Sequence, residues 1–204
     1  MDGISEGGDD ETLKEFETLV PMILEKGIAV SGGMACAFGC PFEGKVSFRQ
    51  IERVADRYMA MGIRSIGIAD TVGFANPKPV YDTMAHLLDK YAEIQWLAHI
   101  HNHRNLGLAN ILAAMQAGLT EFDAAIGGLG GCPYAPNAAG NVATEDLVNM
   151  LNEMGIECGV DLNAVLKVGE MVRRVIPHPL NSALLKAGKP WILTDSPNCQ
   201  TKIG

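Results

Sequence analysis

The sequence predicts an α/β fold built on a parallel sheet. Short apolar segments alternate with longer segments of helical periodicity, and buried strands that alternate with helices pair in parallel. Three successive strands begin near residues 64, 94 and 121, and these spacings match the length of one strand-helix unit. Four strands are predicted in all, whereas a closed (β/α)8 barrel has eight strands and about 250 residues.

Composition indicates a globular domain and excludes several functional classes. The 204 residues are 48% apolar and 20% charged, which is enough apolar material for a core. A net charge of −8 argues against nucleic acid or an anionic membrane as a partner. No apolar run reaches the roughly 18 residues of a transmembrane helix. An odd number of cysteines without zinc-finger spacing, and a polar N-terminus without a signal sequence, predict a cytoplasmic location.

The first part of the chain predicts two helices and one strand. Apolar residues at helical spacing over 13–24 form the first helix, and Gly27 ends it. The apolar segment 28–36 is predicted as a strand. The sequence Ser-Phe-Arg-Gln at 47–50 has the pattern of a capping box and begins the second helix, which Gly62 closes.

The middle of the chain repeats the strand-helix unit. Asn76 followed by Pro77 is typical of a helix start, because asparagine caps the helix and proline suits its first turn. Strands are predicted at 64–70, 94–101 and 121–126, and helices at 76–88, 105–117 and 162–175.

The last third begins with a long glycine-rich loop at 127–143. Thr144 is predicted to cap the helix that follows. We interpret residues 1–204 as a single domain, with a core at about 10–175 and an irregular, proline-containing tail at 176–204.

A pair of histidines lies at the end of the third predicted strand. Residues two apart on a strand point to one face, so His99 and His101 present two imidazoles together. Such a pair is a metal-binding arrangement. The alternative is that each histidine is an ordinary polar residue with internal partners. His103 falls beyond the predicted strand and is not assigned to the site.

The glycine-rich loop contains a thiol, Cys132. Glycines let a loop approach a ligand closely, and a thiol on such a loop can act as an acid, a base or a nucleophile. The loop lacks the Gly-Lys-Ser/Thr ending of a phosphate-binding P-loop. The alternative interpretation is a plain surface loop.

Carboxylates close to these segments allow more than one role. Asp70 ends the second predicted strand, where it could bind a metal, orient a base or cap the following turn. Glu145 and Asp146 begin a helix, where acidic residues suit the helix dipole. Cys36 and Cys40, taken alone, are inert small residues.

Several segments resemble 3-hydroxy-3-methylglutaryl-CoA lyase. They are AFGCPFEGKV at 37–46, GIADTVG at 67–73, the histidine pair leading into GLAN at 107–110, and above all GGLGGCPYAPNAAGNVATEDLV at 127–148. The resemblance covers about residues 10–175. Related 2-isopropylmalate and homocitrate synthases share the histidine pair, but their glycine-rich segment is shorter and lacks the Cys-Pro-Tyr element, which favours the lyase.

The resemblance implies a fold and an activity. The fold is a (β/α)8 TIM barrel, of which this chain carries about the last four βα units. The activity is a metal-dependent retro-Claisen cleavage of a 3-hydroxyacyl-CoA to acetyl-CoA and acetoacetate or a similar keto acid. By the same resemblance, His99, His101 and Asn141 bind a divalent cation, Mg²⁺ or Mn²⁺.

The resemblance also assigns catalytic residues. Cys132 matches the catalytic cysteine and would manage the proton at the carbon that is released. Asp70 and Glu145 match acidic site positions, where they would assist proton transfer or hold the metal ligands in place.

One family motif is missing from the sequence. The Arg-Asp pair of the family's first strand, which supplies the fourth metal ligand and stabilises the enolate, is not found. We therefore expect a half barrel with slowed chemistry that pairs either with a copy of itself or with a separate N-terminal half-barrel chain. A catalytically impaired fragment or assembly subunit, and a related condensing synthase, are the alternatives.

Overall fold

The computed structural model describes residues 8–131 and 140–190, with only the backbone of residues 8 and 9. Its strands are β1 (Gly32–Met34), β2 (Ser65–Asp70), β3 (Gln95–Ile100) and β4 (Phe122–Asp123). Its α-helices are α1 (Gly8–Leu24), α2 (Phe48–Ala60), α3 (Pro77–Lys90), α4 (Gly107–Gln116), α5 (Thr144–Glu153), α6 (Leu162–Val175) and α7 (Ala183–Ala187). The four strands form one parallel sheet in the order β1-β2-β3-β4. The predicted parallel α/β fold is confirmed.

Two helix starts follow the local chemistry that the sequence indicated. Before α2, the Ser47 side chain accepts a hydrogen bond from the Gln50 backbone, and the Gln50 side chain accepts one from the Ser47 N–H at 2.8 Å. Before α3, the Asn76 side chain accepts a hydrogen bond from the N–H of Lys78. Both caps satisfy backbone donors that a helix leaves free at its start.

The strand predicted at 28–36 is wrong in its bounds. Only Gly32–Met34 pairs with β2, and Ile28 is 58% exposed. The pairing ends soon after Met34 because Cys36 has a positive φ of 56°, which is incompatible with an extended strand. Similarly, β4 is limited to Phe122–Asp123, and a short 3₁₀ turn begins at Ile126.

Two further expectations about the last third are wrong. Thr144 is the first residue of α5 rather than its cap; the cap position is Ala143, which has no side-chain oxygen to offer the helix. The tail expected to be irregular contains α7, which Ser182 caps by accepting a hydrogen bond from the N–H of Leu185 at 3.1 Å. Ser182 also donates to Asp146, a tertiary contact that no local pattern reveals.

The core lies between the sheet and the helices on one of its faces. Alternate residues of β2 and β3, such as Ile66, Ile68 and Trp96, are buried on that face. The opposite face carries small or half-buried residues and borders a cavity of about 530 Å³ whose lining includes Ala69 and His99. In the described part of the chain, none of the helices is long and apolar enough to cross a membrane.

Candidate active site

Two imidazole rings converge at the carboxyl end of β3. The Nε2 atoms of His99 and His101 are 3.0 Å apart, and the rings meet edge to face at 64°. The strand alternation predicted this arrangement, since both side chains point to one face of the sheet. Two ring nitrogens at this separation can face a single cation.

His99 is oriented by a carboxylate from the neighbouring strand. Its Nδ1–H donates to Oδ1 of Asp123 at 2.6 Å, and this hydrogen bond raises the pKa of His99. In the neutral ring this bond favours the proton on Nδ1, which leaves Nε2 as the acceptor in its 3.0 Å contact with Nε2 of His101. Asp123 is not among the site residues predicted from the sequence; its place in the fourth predicted strand, 121–126, is the one signal that points to it.

His101 is the more deeply buried of the pair. Burial, followed by the nearby His99 and His103, lowers the pKa of His101 to about 4. The ring is therefore neutral at physiological pH, which is the state in which an imidazole binds a metal. Its Nδ1 is buried without a hydrogen-bond partner.

Asn141 is placed beside the histidine pair by the backbone. An isolated antiparallel bridge joins it to His101, and its Nδ2 donates to the carbonyl of Leu129 at 2.7 Å. That bond leaves Oδ1 buried and without a partner. A buried amide oxygen with no internal hydrogen bond is available to a cation or another ligand.

His103 stacks against His101. The two rings are nearly parallel, at 10°, with centroids 5.2 Å apart. Both nitrogens of His103 are buried without a partner, and burial together with Arg104 lowers its pKa. Strand alternation does not predict this contact, because His103 follows the strand.

Asp70 lies on the other face of the sheet. It pairs in register with Ile100, whereas Ala69 is the neighbour of His99. Its carboxylate accepts hydrogen bonds from the backbone N–H groups of Phe74, at 2.8 Å, and Ala75. Burial raises the pKa of Asp70 to about 6 against the opposing effect of these bonds. Of the roles that the sequence left open, capping of the turn after β2 is observed.

Glu145 and Asp146 hold other segments at the base of the glycine-rich loop. Glu145 is fully buried, accepts from the N–H of Gly127 with both carboxylate oxygens, and has its pKa raised by burial. Asp146 accepts hydrogen bonds from Ser182 and from the first N–H groups of α7. The pair ties α5 to the loop and to the tail.

Cys132 lies outside the described residues. The loop segments around it are described: the carbonyl oxygen of Gly140 accepts from the N–H of Asn102 at 3.0 Å, and Gly140, at φ 87°, packs directly on the carbonyl of Gly128. The two ends of the loop therefore meet next to Asn141.

These residues fit a cation only in part. Within residues 8–131 and 140–190, no group of three or more His, Cys, Asp or Glu side chains could hold a metal. The donors that do come together are the two imidazoles of His99 and His101, with the free amide oxygen of Asn141 on the adjoining segment.

Comparison with known proteins identifies close relatives. The HMGL-like family model matches residues 8–172. The chain is 38% identical over 189 residues to (R)-citramalyl-CoA lyase of Chloroflexus aurantiacus, covering 92% of this chain and 60% of that protein. It is 37% identical over 178 residues to the cytoplasmic 3-hydroxy-3-methylglutaryl-CoA lyase of Rattus norvegicus, covering 87% and 52%.

Solved structures of similar fold include lyases of the same kind. An HMG-CoA lyase from Acinetobacter baumannii, in complex with coenzyme A and 3-methylmalate, matches with a TM-score of 0.88 at 42% identity and covers 92% of this chain and 61% of that one. The carboxyl transferase domain of Rhizobium etli pyruvate carboxylase matches at 17% identity with a TM-score of 0.66, which shows likeness of fold alone. This chain therefore spans between half and two thirds of the length of these three lyases.

Proposed function

Because the chain belongs to the HMGL-like family, we propose that it acts in the metal-dependent cleavage of a 3-hydroxyacyl-CoA to acetyl-CoA and a keto acid. The observation that carries the proposal is the convergence of His99 and His101 beside the free oxygen of Asn141. The strand ends of parallel α/β folds are where such folds place their chemistry.

We propose that a divalent cation, Mg²⁺ or Mn²⁺, is held by Nε2 of His99, Nε2 of His101 and Oδ1 of Asn141. When bound, it supplies positive charge that lowers the pKa of the substrate hydroxyl. Asp123 supports the site by holding the proton of His99 on Nδ1. Mixed nitrogen and oxygen donors suit these cations, and the donor set does not separate Mg²⁺ from Mn²⁺.

In the proposed cleavage, the substrate hydroxyl loses its proton and becomes the carbonyl of the keto acid. The carbon–carbon bond breaks, and its electron pair passes to the enolate of acetyl-CoA. We propose that the Cys132 thiol delivers the proton that converts this enolate to the methyl group, and that the proton released by the hydroxyl restores the thiol. Glu145 serves the step by anchoring the base of the loop through Gly127, and Asp70 by holding the turn after β2.

The acyl group is proposed from the relatives. One is named for (R)-citramalyl-CoA and others for 3-hydroxy-3-methylglutaryl-CoA, so both thioesters are substrates to test. The relatives also include cytoplasmic and mitochondrial enzymes. We propose the cytoplasm for this chain on the strength of its cysteine usage.

We also propose a partner. Among the described residues, the outer edge of β1 has no neighbouring strand, and beside β4 only an isolated parallel bridge joins Ala125 to Ala143. An unpaired edge is a site for pairing with another chain. A second copy, or a separate N-terminal half-barrel chain, would cover the open edge of β1. Analytical ultracentrifugation of the purified chain tests for the first.

The lyase test measures acetyl-CoA released from each thioester by the purified 204-residue chain with excess Mn²⁺. His99→Ala tests the site, and His178→Ala, which changes an exposed histidine of the tail, is the control. We expect the unaltered chain to release acetyl-CoA. His99→Ala should abolish this release, and His178→Ala should preserve it. A folded chain that releases none refutes lyase activity for this chain and favours the impaired fragment or assembly subunit. Condensation of acetyl-CoA with a 2-keto acid would instead favour the synthase.

A further inference from the structure

We propose that His103 is a positioning residue whose ring, stacked on His101, fixes the plane in which His101 presents Nε2 to the cation site. The inference rests on the proposed function, since it concerns the same histidine pair. It adds a third histidine that binds no cation itself but sets the orientation of one that does.

The two converging imidazoles are oriented by different means. His99 has a hydrogen bond from Nδ1–H to Asp123, which is the usual way in which a protein orients a metal-binding histidine. His101 lacks an equivalent, because its Nδ1 is buried without a partner. Its ring is instead restrained by the parallel stack with His103, with an interplanar angle of 10° and ring centroids 5.2 Å apart.

His103 is itself firmly held. Its side chain packs on the backbone of Gly73, where an added Cβ would come within 2.7 Å of the Cβ of His103. The next residue, Arg104, donates two hydrogen bonds from Nη1 to the carbonyls of Val72, at 3.0 Å, and Gly73, at 2.8 Å. A ring seated between a backbone surface and His101 can therefore transmit a fixed orientation.

Stacking is the contact that His103 makes with the histidine pair. Both of its nitrogens are buried and make no hydrogen bond with the described residues. The role proposed for His103 therefore belongs to its flat ring, and the experiment separates that role from one of the nitrogens.

The test compares the dissociation constant for Mn²⁺ in two substitutions of the full chain, measured by isothermal titration calorimetry. His103→Phe keeps a flat ring without nitrogens, and His103→Gln keeps polar atoms without a ring. Supporting groups around metal ligands typically contribute about 10- to 100-fold to affinity. We expect affinity close to that of the unaltered chain in the first and weakening of at least about tenfold in the second.

The matched control is His86→Ala, which removes another stacked imidazole, 4.9 Å from Phe48 on the outer helices. It should leave Mn²⁺ affinity unchanged. Equal affinity in His103→Gln and the unaltered chain, or loss in His103→Phe with retention in His103→Gln, overturns the proposal. If the unaltered chain binds no Mn²⁺, the cation site of the proposed function is refuted, and this inference with it. Circular dichroism verifies that each variant is folded; if His103→Gln is not, His103→Ala replaces it.

Discussion

Burial of the Asp70 carboxylate predicts an unusual dependence of stability on pH. The side chain is 1% exposed, and burial raises its pKa in the folded chain from an ordinary 3.8 to about 6. Between these values the folded state binds more protons than the unfolded state. The contribution of Asp70 to stability is therefore greatest below pH 3.8 and falls as pH rises to about 6.

The size of the effect follows from the two pKa values. At about 1.4 kcal/mol for each pKa unit, the rise corresponds to about 3 kcal/mol of stability lost between acid and neutral pH. His101 contributes in the opposite sense, because its pKa is lowered to about 4 and its burial is best tolerated at higher pH. The free energy of unfolding of the whole chain can therefore change little with pH. The effect of Asp70 is seen when a variant without its charge is compared with the unaltered chain.

We expect Asp70→Asn to expose this effect. The amide oxygen can still accept from the N–H groups of Phe74 and Ala75, while the buried charge is removed. The free energy of unfolding of the variant, relative to the unaltered chain, should rise by about 2.4 kcal/mol from pH 4 to pH 8, because part of the roughly 3 kcal/mol is already lost at pH 4. Any cost of burying the new NH₂ group is the same at every pH and does not alter this slope.

The assay is urea unfolding at 25 °C over this pH range, with chelator present to remove metal. Asp89→Asn, at an exposed carboxylate of α3, is the control and should give a difference that does not change with pH. If the difference in free energy of unfolding between Asp70→Asn and the unaltered chain stays constant within about 0.5 kcal/mol over this pH range, burial does not penalise the Asp70 charge. That result would refute the reasoning.

Three other predictions concern the site and its loop. Asp123→Asn should lower the pKa of His99, measured by NMR titration, and weaken Mn²⁺ binding by about 10- to 100-fold; unchanged values in both would remove Asp123 from the site. Gly140→Ala should lower the melting temperature by at least about twice as much as Gly155→Ala, because both have positive φ but only Gly140 faces loop carbonyls that a Cβ would overlap. Equal shifts would contradict the packing. Cys132→Ala should leave Mn²⁺ affinity intact and reduce acetyl-CoA release; equal release would exclude the thiol from the proposed cleavage.

Much of the fold could be predicted because its signals are local. The cap at Ser47 acts on a backbone N–H three residues away, and the cap at Asn76 on one two residues away. The alternation of a strand also places His99 and His101 on one face whatever the rest of the chain does. These features depend on neighbours in sequence and are visible in it.

The roles of the two buried carboxylates could not be predicted from their neighbours in sequence. Asp70 and Glu145 were expected at the site from the family resemblance, and the structure uses both to accept backbone N–H groups, Asp70 in its own turn and Glu145 across 18 residues at Gly127. A carboxylate can either act at a site or accept backbone N–H groups, and its chemistry is the same in both roles. Which role it takes depends on which donors the folded backbone brings to it.

The sequence by itself determined the parallel sheet, most helix starts and the pair of imidazoles at the end of β3. Only the tertiary structure decided that Asp123 orients His99, that Asn141 lies beside His101, and that His103 stacks on its neighbour. The first two contacts join residues 24 and 40 positions apart, and the third depends on how the chain turns after the strand. Such contacts depend on the register between strands and on loop geometry, which the packing of the whole sheet sets and no short segment encodes.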